Sequence, residues 1–247
     1  MPLDALIFDV DGTLSETEET HREAFNVAFA DAGLDWTWDR GLYGELLKVT
    51  GGKERIRHFI DTRLPAGSFA RADLAEWIAQ LHKAKTRIYT GMVDGGAVGL
   101  RPGVASLLDA ARTAGLRLGI ATTTSLPNVE SLLEATLGSG WDAVFEVIAA
   151  GDQVARKKPA PDVFELALRR LELGAGACLA LEDSANGLAS ARGAGLGTVI
   201  TTSAYTAGET FEGALTVVES LAELAGPARG TAREGMAIVA ALRNLAA

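Results

Sequence analysis

Two aspartates two residues apart, Asp9 and Asp11, close the apolar run Ala-Leu-Ile-Phe and lead into Gly12-Thr-Leu. Side chains at i and i+2 of a strand share a face, so both carboxylates leave the sheet on one side. They do so at the C-terminal edge, where open α/β sheets bind ligands. Two like charges this close repel unless a cation or a proton stands between them, and hard oxygen donors suit Mg²⁺. Gly12 lets the backbone turn tightly behind them. Acidic residues also sit in ordinary loops after strands, but an apolar strand running into Asp-x-Asp-Gly-Thr-Leu is a specific combination. Three further polar groups stand out. Thr122 and Thr123 follow Leu118-Gly-Ile-Ala, Lys158 opens Lys-Pro-Ala-Pro-Asp, and Glu182-Asp183 follows Cys178-Leu-Ala-Leu. Each has a plain alternative: threonines end many strands, Arg156 and Lys157 make Lys158 part of a basic run, and acids often start helices.

The elements that must position these groups follow a rhythm. Apolar runs of strand length occur at 5–10, 116–122, 143–149, 178–181 and 198–200. Between the later ones lie helical patterns: Val104, Leu107, Leu108 and Ala111 share a face, as do Phe164, Ala167, Leu168 and Leu171. Strand alternating with helix predicts an α/β fold, a Rossmann-like doubly wound parallel sheet covered on both faces. After Leu14 the rhythm breaks. Phe25, Ala28, Phe29 and Ala32, then Ile56, Phe59 and Ile60, then Leu74, Trp77, Ile78 and Leu81 mark three helices before a glycine-rich loop at 91–99. The division expected is a core of residues 1–15 and 93–247 with a helical cap domain inserted at 16–92, and a terminal helix within 227–247.

The chain has 247 residues, 48% hydrophobic, and a formal net charge of −9. An acidic surface disfavours nucleic acid and anionic membranes as partners, so an anionic substrate needs a locally positive pocket. No uncharged stretch reaches the ~18 residues of a membrane span, and no basic, apolar leader precedes Asp4. One cysteine, Cys178, excludes an intrachain disulfide. These features lead us to expect a cytoplasmic monomer acting on a small molecule.

In these residues the chain resembles the haloacid dehalogenase superfamily, whose four motifs occur here in order and span nearly the whole chain. The resemblance implies a phosphatase in which Asp9 attacks phosphorus and carries the phosphoryl group. Asp11 would protonate the leaving alkoxide and then deprotonate the hydrolytic water. Thr122, the Thr123 N–H and Lys158 would hold the phosphoryl group. Mg²⁺ would be bound by Asp9, the Asp11 carbonyl and Asp183, with Glu182 either a ligand or an acceptor behind the ligands.

The insert resembles the family's helical cap, and its charges bear on substrate. Thr50-Gly51-Gly52-Lys53-Glu-Arg55 opens a helix, where N–H groups attract anions and a cation is out of place without one. Lys85 lies about 20° around the helix from Leu74, within the apolar stripe. If Lys53, Arg55 and Lys85 bind a second phosphate, the substrate is a sugar bisphosphate. His21, Glu16 and Glu18 lie at the entry to the insert, where they could contact substrate or simply be solvated. Asp-Gly-Thr-Leu-Ser-Glu-Thr-Glu-x-x-His, Thr-Gly-Gly-Lys-Glu-Arg and Leu-Glu-Asp-Ser-Ala-Asn-Gly most resemble CbbY-type phosphatases. That likeness implies conversion of xylulose-1,5-bisphosphate, a Rubisco inhibitor, to xylulose 5-phosphate. A β-phosphoglucomutase, a phosphoglycolate phosphatase and a non-catalytic sugar-phosphate sensor are the alternatives.

Overall fold

Strand β1 (Ala5–Phe8) is buried along its whole length in a computed structural model that describes residues 3–247. It pairs in parallel with β2 (Arg117–Ala121) on one side and β4 (Cys178–Glu182) on the other. With β3 (Val147–Ala149), β5 (Gly197–Thr201) and β6 (Thr216–Val218) they form one parallel sheet in the order β3-β2-β1-β4-β5-β6. Alternation along the central strands feeds two cores. Leu6, Phe8, Leu179 and Leu181 enter one, and Ala5, Ile7, Cys178 and Ala180 enter the other.

Between β1 and β2 lie α1 (Glu18–Asp31), α2 (Arg40–Leu46), α3 (Gly52–Arg63) and α4 (Leu74–Asp94). They share an aromatic cluster of their own, with Phe25, Phe29, Trp36, Trp38, Tyr43 and Phe59 at its centre. The outgoing and returning chains meet where Ser15 bridges Leu100. The remaining helices are α5 (Val104–Thr113), α6 (Leu126–Leu137), α7 (Asp162–Leu171), α8 (Ala185–Gly193) and α9 (Glu234–Leu245). Helices α5, α6 and α9 cover one face of the sheet through Leu107, Leu132 and Val239, while α7 covers the other through Phe164, Ala167 and Leu171. This is the doubly wound arrangement expected from the alternating pattern.

Several boundaries differ from the sequence reading. The strand expected at 143–149 begins only at Val147, after a 3₁₀ turn at Trp141–Ala143. The loop expected from Gly91 begins at Gly95, because Tyr89 and Val93 carry α4 from the aromatic cluster into the sheet's core. Helix α2 and edge strand β6 were not anticipated: two glycines interrupt the first, and the second is three residues long. The terminal helix is α9 alone. It buries Ile238, Val239 and Leu242, each worth about 1.5–3 kcal/mol of apolar burial. Among the described residues no helix is long and apolar enough to cross a membrane.

Candidate active site

The ends of β1 and β4 are neighbours at the point where the strand order reverses, so Asp9 and the Glu182-Asp183 pair converge although far apart in sequence. Carboxylate oxygens of Asp9, Glu182 and Asp183 lie within 4.8 Å of one another, and all three residues are buried. Lys158 Nζ sits among them, donating to Asp9 Oδ1 at 2.6 Å, Glu182 Oε1 at 2.5 Å and the Ala121 carbonyl at 2.8 Å. Burial raises the Asp9 carboxyl well above the usual carboxylate range, in spite of Lys158, and Glu182 and Asp11 add to the rise. Asp183 is raised too, by burial and then by Glu182 and Asp9. Three acids against one ammonium leave negative charge that only protons or a cation can offset. The oxygen-only donor set therefore fits a divalent metal.

Gly12 follows this cluster with φ +83°, and a Cβ there would run into the Asp183 carboxylate. Both the backbone conformation and the close approach therefore require glycine. Asp11 engages residues of the segment leading into and along α1. It accepts from Thr17 Oγ1 at 2.5 Å and contacts His21 Nε2 at 3.1 Å. Burial alone would raise Asp11, but the His21 ring and the two hydrogen bonds hold it below the usual range.

His21 stacks on Tyr89, with ring centroids 3.9 Å apart, and its Nδ1 meets the Lys85 ammonium. Burial lowers the His21 pKa and Lys85 lowers it further. A neutral imidazole satisfies both contacts, donating from Nε2 to Asp11 and accepting at Nδ1 from Lys85. Lys85 is 3% exposed, lies over the Phe25 and Tyr89 rings, and is pushed by burial to about 7.

A cavity of about 1000 Å³ opens above this chemistry, between the strand ends and the α1–α4 helices. Asp9, Asp11, Glu18, His21, Thr50, Gly51, Gly52, Lys53, Arg55, Lys85, Thr123, Lys158 and Asp183 line it. Glu16, Thr122 and Glu182 do not. Glu16 turns away to pair with Arg101 Nε at 3.1 Å. The Thr122 hydroxyl accepts from the Thr124 N–H at 3.2 Å, while half-buried Thr123 and Thr124 line the cavity. Glu182 lies beneath the cluster, holding Lys158 and accepting from the Asp183 N–H at 3.0 Å.

On the opposite wall, Gly51 has φ +97° and precedes the first turn of α3. Lys53 is exposed to the cavity, whereas Arg55 is buried and engaged, with Nη1 on Tyr43 Oη at 3.0 Å and Nε on the Leu46 carbonyl at 3.2 Å. Glu18 accepts from the same tyrosine hydroxyl at 2.8 Å. Sequence reasoning missed His82, whose ring fills the space where a Gly52 Cβ would project. Burial, then Lys85, Lys53 and Lys157, depress its pKa to about 3. Three lysines thus act on it at this wall. Lys157, Asn186 and Tyr205 also reach the cavity and were not singled out; a periodic apolar stripe carries no trace of them.

A profile of the haloacid dehalogenase-like hydrolases matches residues 3–195. The chain belongs to that family and is a phosphatase of it. The CbbY protein of Rhodobacter capsulatus is 55% identical over 214 residues, covering 87% of this chain and 92% of that one. The CbbY protein of Cereibacter sphaeroides is 50% identical over 224 residues, 91% and 95% of the respective chains. A crystal structure of a CbbY mutant from Rhodobacter sphaeroides in complex with xylulose-(1,5)bisphosphate superposes with a TM-score of 0.84 at 50% identity, covering 90% of this chain and 96% of that one. A β-phosphoglucomutase from Clostridium difficile, 21% identical with a TM-score of 0.72 over 88% and 91% of the chains, shares the fold.

Proposed function

We propose that this hydrolase removes one phosphate from a sugar bisphosphate, xylulose-1,5-bisphosphate, releasing xylulose 5-phosphate and inorganic phosphate. The observation that carries the reading is a single cavity with a buried acid–lysine cluster at one end and a cationic helix start at the other. The bisphosphate complex of the CbbY relative supports it. Residues 1–15 and 93–247 act as the catalytic core and 16–92 as the cap that closes the far end.

In this mechanism the Asp9 carboxylate attacks phosphorus in line and becomes an aspartyl phosphate as the sugar alkoxide leaves. Lys158 neutralises phosphoryl oxygens from its fixed place beside Asp9. Asp9, Asp183 and the Asp11 carbonyl would hold Mg²⁺, with Glu182 behind them; the bound ion would offset the charge of the acids and of the phosphoryl group. As found, Asp11 is held as a carboxylate, the form that deprotonates the hydrolytic water. Its acid form, needed to protonate the alkoxide, requires one proton more. The Lys85–His21–Asp11 chain of contacts provides a route for it. Lys53 and the first N–H groups of α3 receive the second phosphate.

The test is phosphate release from a panel of sugar mono- and bisphosphates and acetyl phosphate, with and without Mg²⁺. We expect Mg²⁺-dependent release with kcat/KM on xylulose-1,5-bisphosphate at least about tenfold above that on xylulose 5-phosphate. Equal rates on both would overturn the second-phosphate site. Accumulation of glucose 6-phosphate from β-glucose 1-phosphate would make the chain a mutase, and no release from any compound would make it a sensor.

A further inference from the structure

Three consecutive cations leave the loop before α7 in three directions. Arg156 pairs with Asp162 on the surface at 2.7 Å. Lys158 enters the acid cluster. Lys157 crosses the cavity mouth and binds both carboxylate oxygens of Glu54, at 2.9 and 2.8 Å. Glu54 lies in the first turn of α3, 103 residues away in sequence. A second core element reaches the same loop: Asn186 Nδ2, at the start of α8, approaches Thr50 Oγ1 at 3.3 Å and the Lys48 carbonyl at 3.4 Å.

Glu54 poses a problem for an anion site. A carboxylate in the first turn is favoured by the helix dipole, and it competes there with any substrate phosphate. Lys157 draws that carboxylate toward the core and cancels its charge, leaving Lys53 and the helix start to act on the substrate. The same contact ties α3 to a lysine whose chain neighbour grips Asp9, so the spacing between the two ends of the cavity is set through one residue.

We propose that the Glu54–Lys157 ion pair is a positioning device: it holds the start of α3 at a fixed place across from Asp9 and neutralises Glu54, and so sets affinity for a substrate carrying a second phosphate. Burial raises the Glu54 carboxyl, but the Lys157 hydrogen bonds, its own backbone N–H and the charges of Lys157 and Lys53 together hold the pKa below the usual range.

The substrate-selectivity arm rests on the bisphosphate reading; a second arm does not. Lys157→Met, Glu54→Lys and the exchanged pair Glu54→Lys/Lys157→Glu are compared with the parent chain on xylulose-1,5-bisphosphate and on acetyl phosphate, which cannot span the cavity. Lys157→Met, which leaves the Glu54 carboxylate uncompensated beside the helix start, raises KM for the bisphosphate about 3- to 10-fold, the scale of a partly exposed ion pair plus an uncompensated charge, whereas Glu54→Lys loses the pair but also removes the competing carboxylate and changes KM by less than about 3-fold. Values of kcat, and of kcat/KM for acetyl phosphate, stay within about twofold. The exchanged pair restores the bisphosphate KM. In parallel, hydrogen exchange of amides 49–56 is measured in the protein without substrate. It is faster in Lys157→Met and returns to the parent rate in the exchanged pair. If the parent shows no preference for the bisphosphate, the substrate reading fails while the exchange arm still decides the ion pair. Unchanged exchange in Lys157→Met, or an exchanged pair as impaired as Lys157→Met, overturns the proposal.

Discussion

Replacing Lys85 by methionine is expected to make the protein more stable at pH 7 and less active. Lys85 is buried on α4, and burial depresses its ammonium from 10.5 to about 7; Asp11 opposes the shift and Arg55 adds to it. His21 meets it directly, and Glu18 faces it from α1. A lysine whose folded pKa lies below its unfolded value costs stability, because the unfolded chain binds the proton more tightly. The cost is fully present below about 7 and is relieved as pH rises toward 10.5. A gap of this size corresponds to about 4 kcal/mol at pH 7 and about 1 kcal/mol at pH 10. Methionine keeps most of the side-chain volume but leaves His21 Nδ1 without its donor, at a cost of about 1–3 kcal/mol. The net expectation is a gain of about 1–3 kcal/mol at pH 7 that reverses to a small loss at pH 10. Urea unfolding followed by fluorescence of the four tryptophans, at both pH values, measures the difference. His21 and His82 titrate below this window, and subtracting the parent curve removes groups common to both proteins. A Lys85→Met protein destabilised at pH 7, or a difference equal at the two pH values, refutes the reasoning.

Asp9→Asn is expected to lower turnover by about 10⁴-fold or more and Asp11→Asn by about 10²–10⁴-fold, with parental circular dichroism in both; a well-folded, active Asp9→Asn protein removes Asp9 as nucleophile. Mg²⁺ at 100 times its Kd stabilises a protein with one site by about 2.7 kcal/mol. Asp183→Asn is expected to abolish most of the Mg²⁺-induced rise in Tm, and an undiminished rise would mean that the ion binds elsewhere.

The sheet was legible because its buried strands read as short apolar runs and its covering helices carry clean 3.6-residue stripes. Edge elements were less so: β3 and β6 are three residues long, and the Gly41 and Gly44 of α2 disguise a helix whose start depends on the Asp39 cap. Around the site, the strand-end residues converge because β1 and β4 are adjacent strands, which the family resemblance implied and spacing alone does not. Side-chain direction was not anticipated. Asp9 and Asp11 leave on one side yet serve different neighbours, one facing Lys158 and the other His21. Arg55, expected among the groups free to meet a phosphate, is occupied by Tyr43 and Leu46. Glu16, expected beside the substrate, pairs with Arg101 outside the cavity. Lys157 and His82 were hidden for the opposite reason. Their importance lies in contacts across the cavity mouth and with α3, and a charge in a basic run or on a helix gives no hint of its partner.

The central place of β1 has a consequence for how the chain is made. Strand β1 is one of the two central strands, and the segments that flank it begin at Arg117 and Cys178, far along the chain. Until the second has been synthesised, Leu6 and Phe8 lack one neighbour and an unsatisfied ladder edge stays open. Asp9 meanwhile lacks Glu182 and Asp183. A chain cut before Cys178 therefore exposes an adhesive edge on β1 and is expected to aggregate.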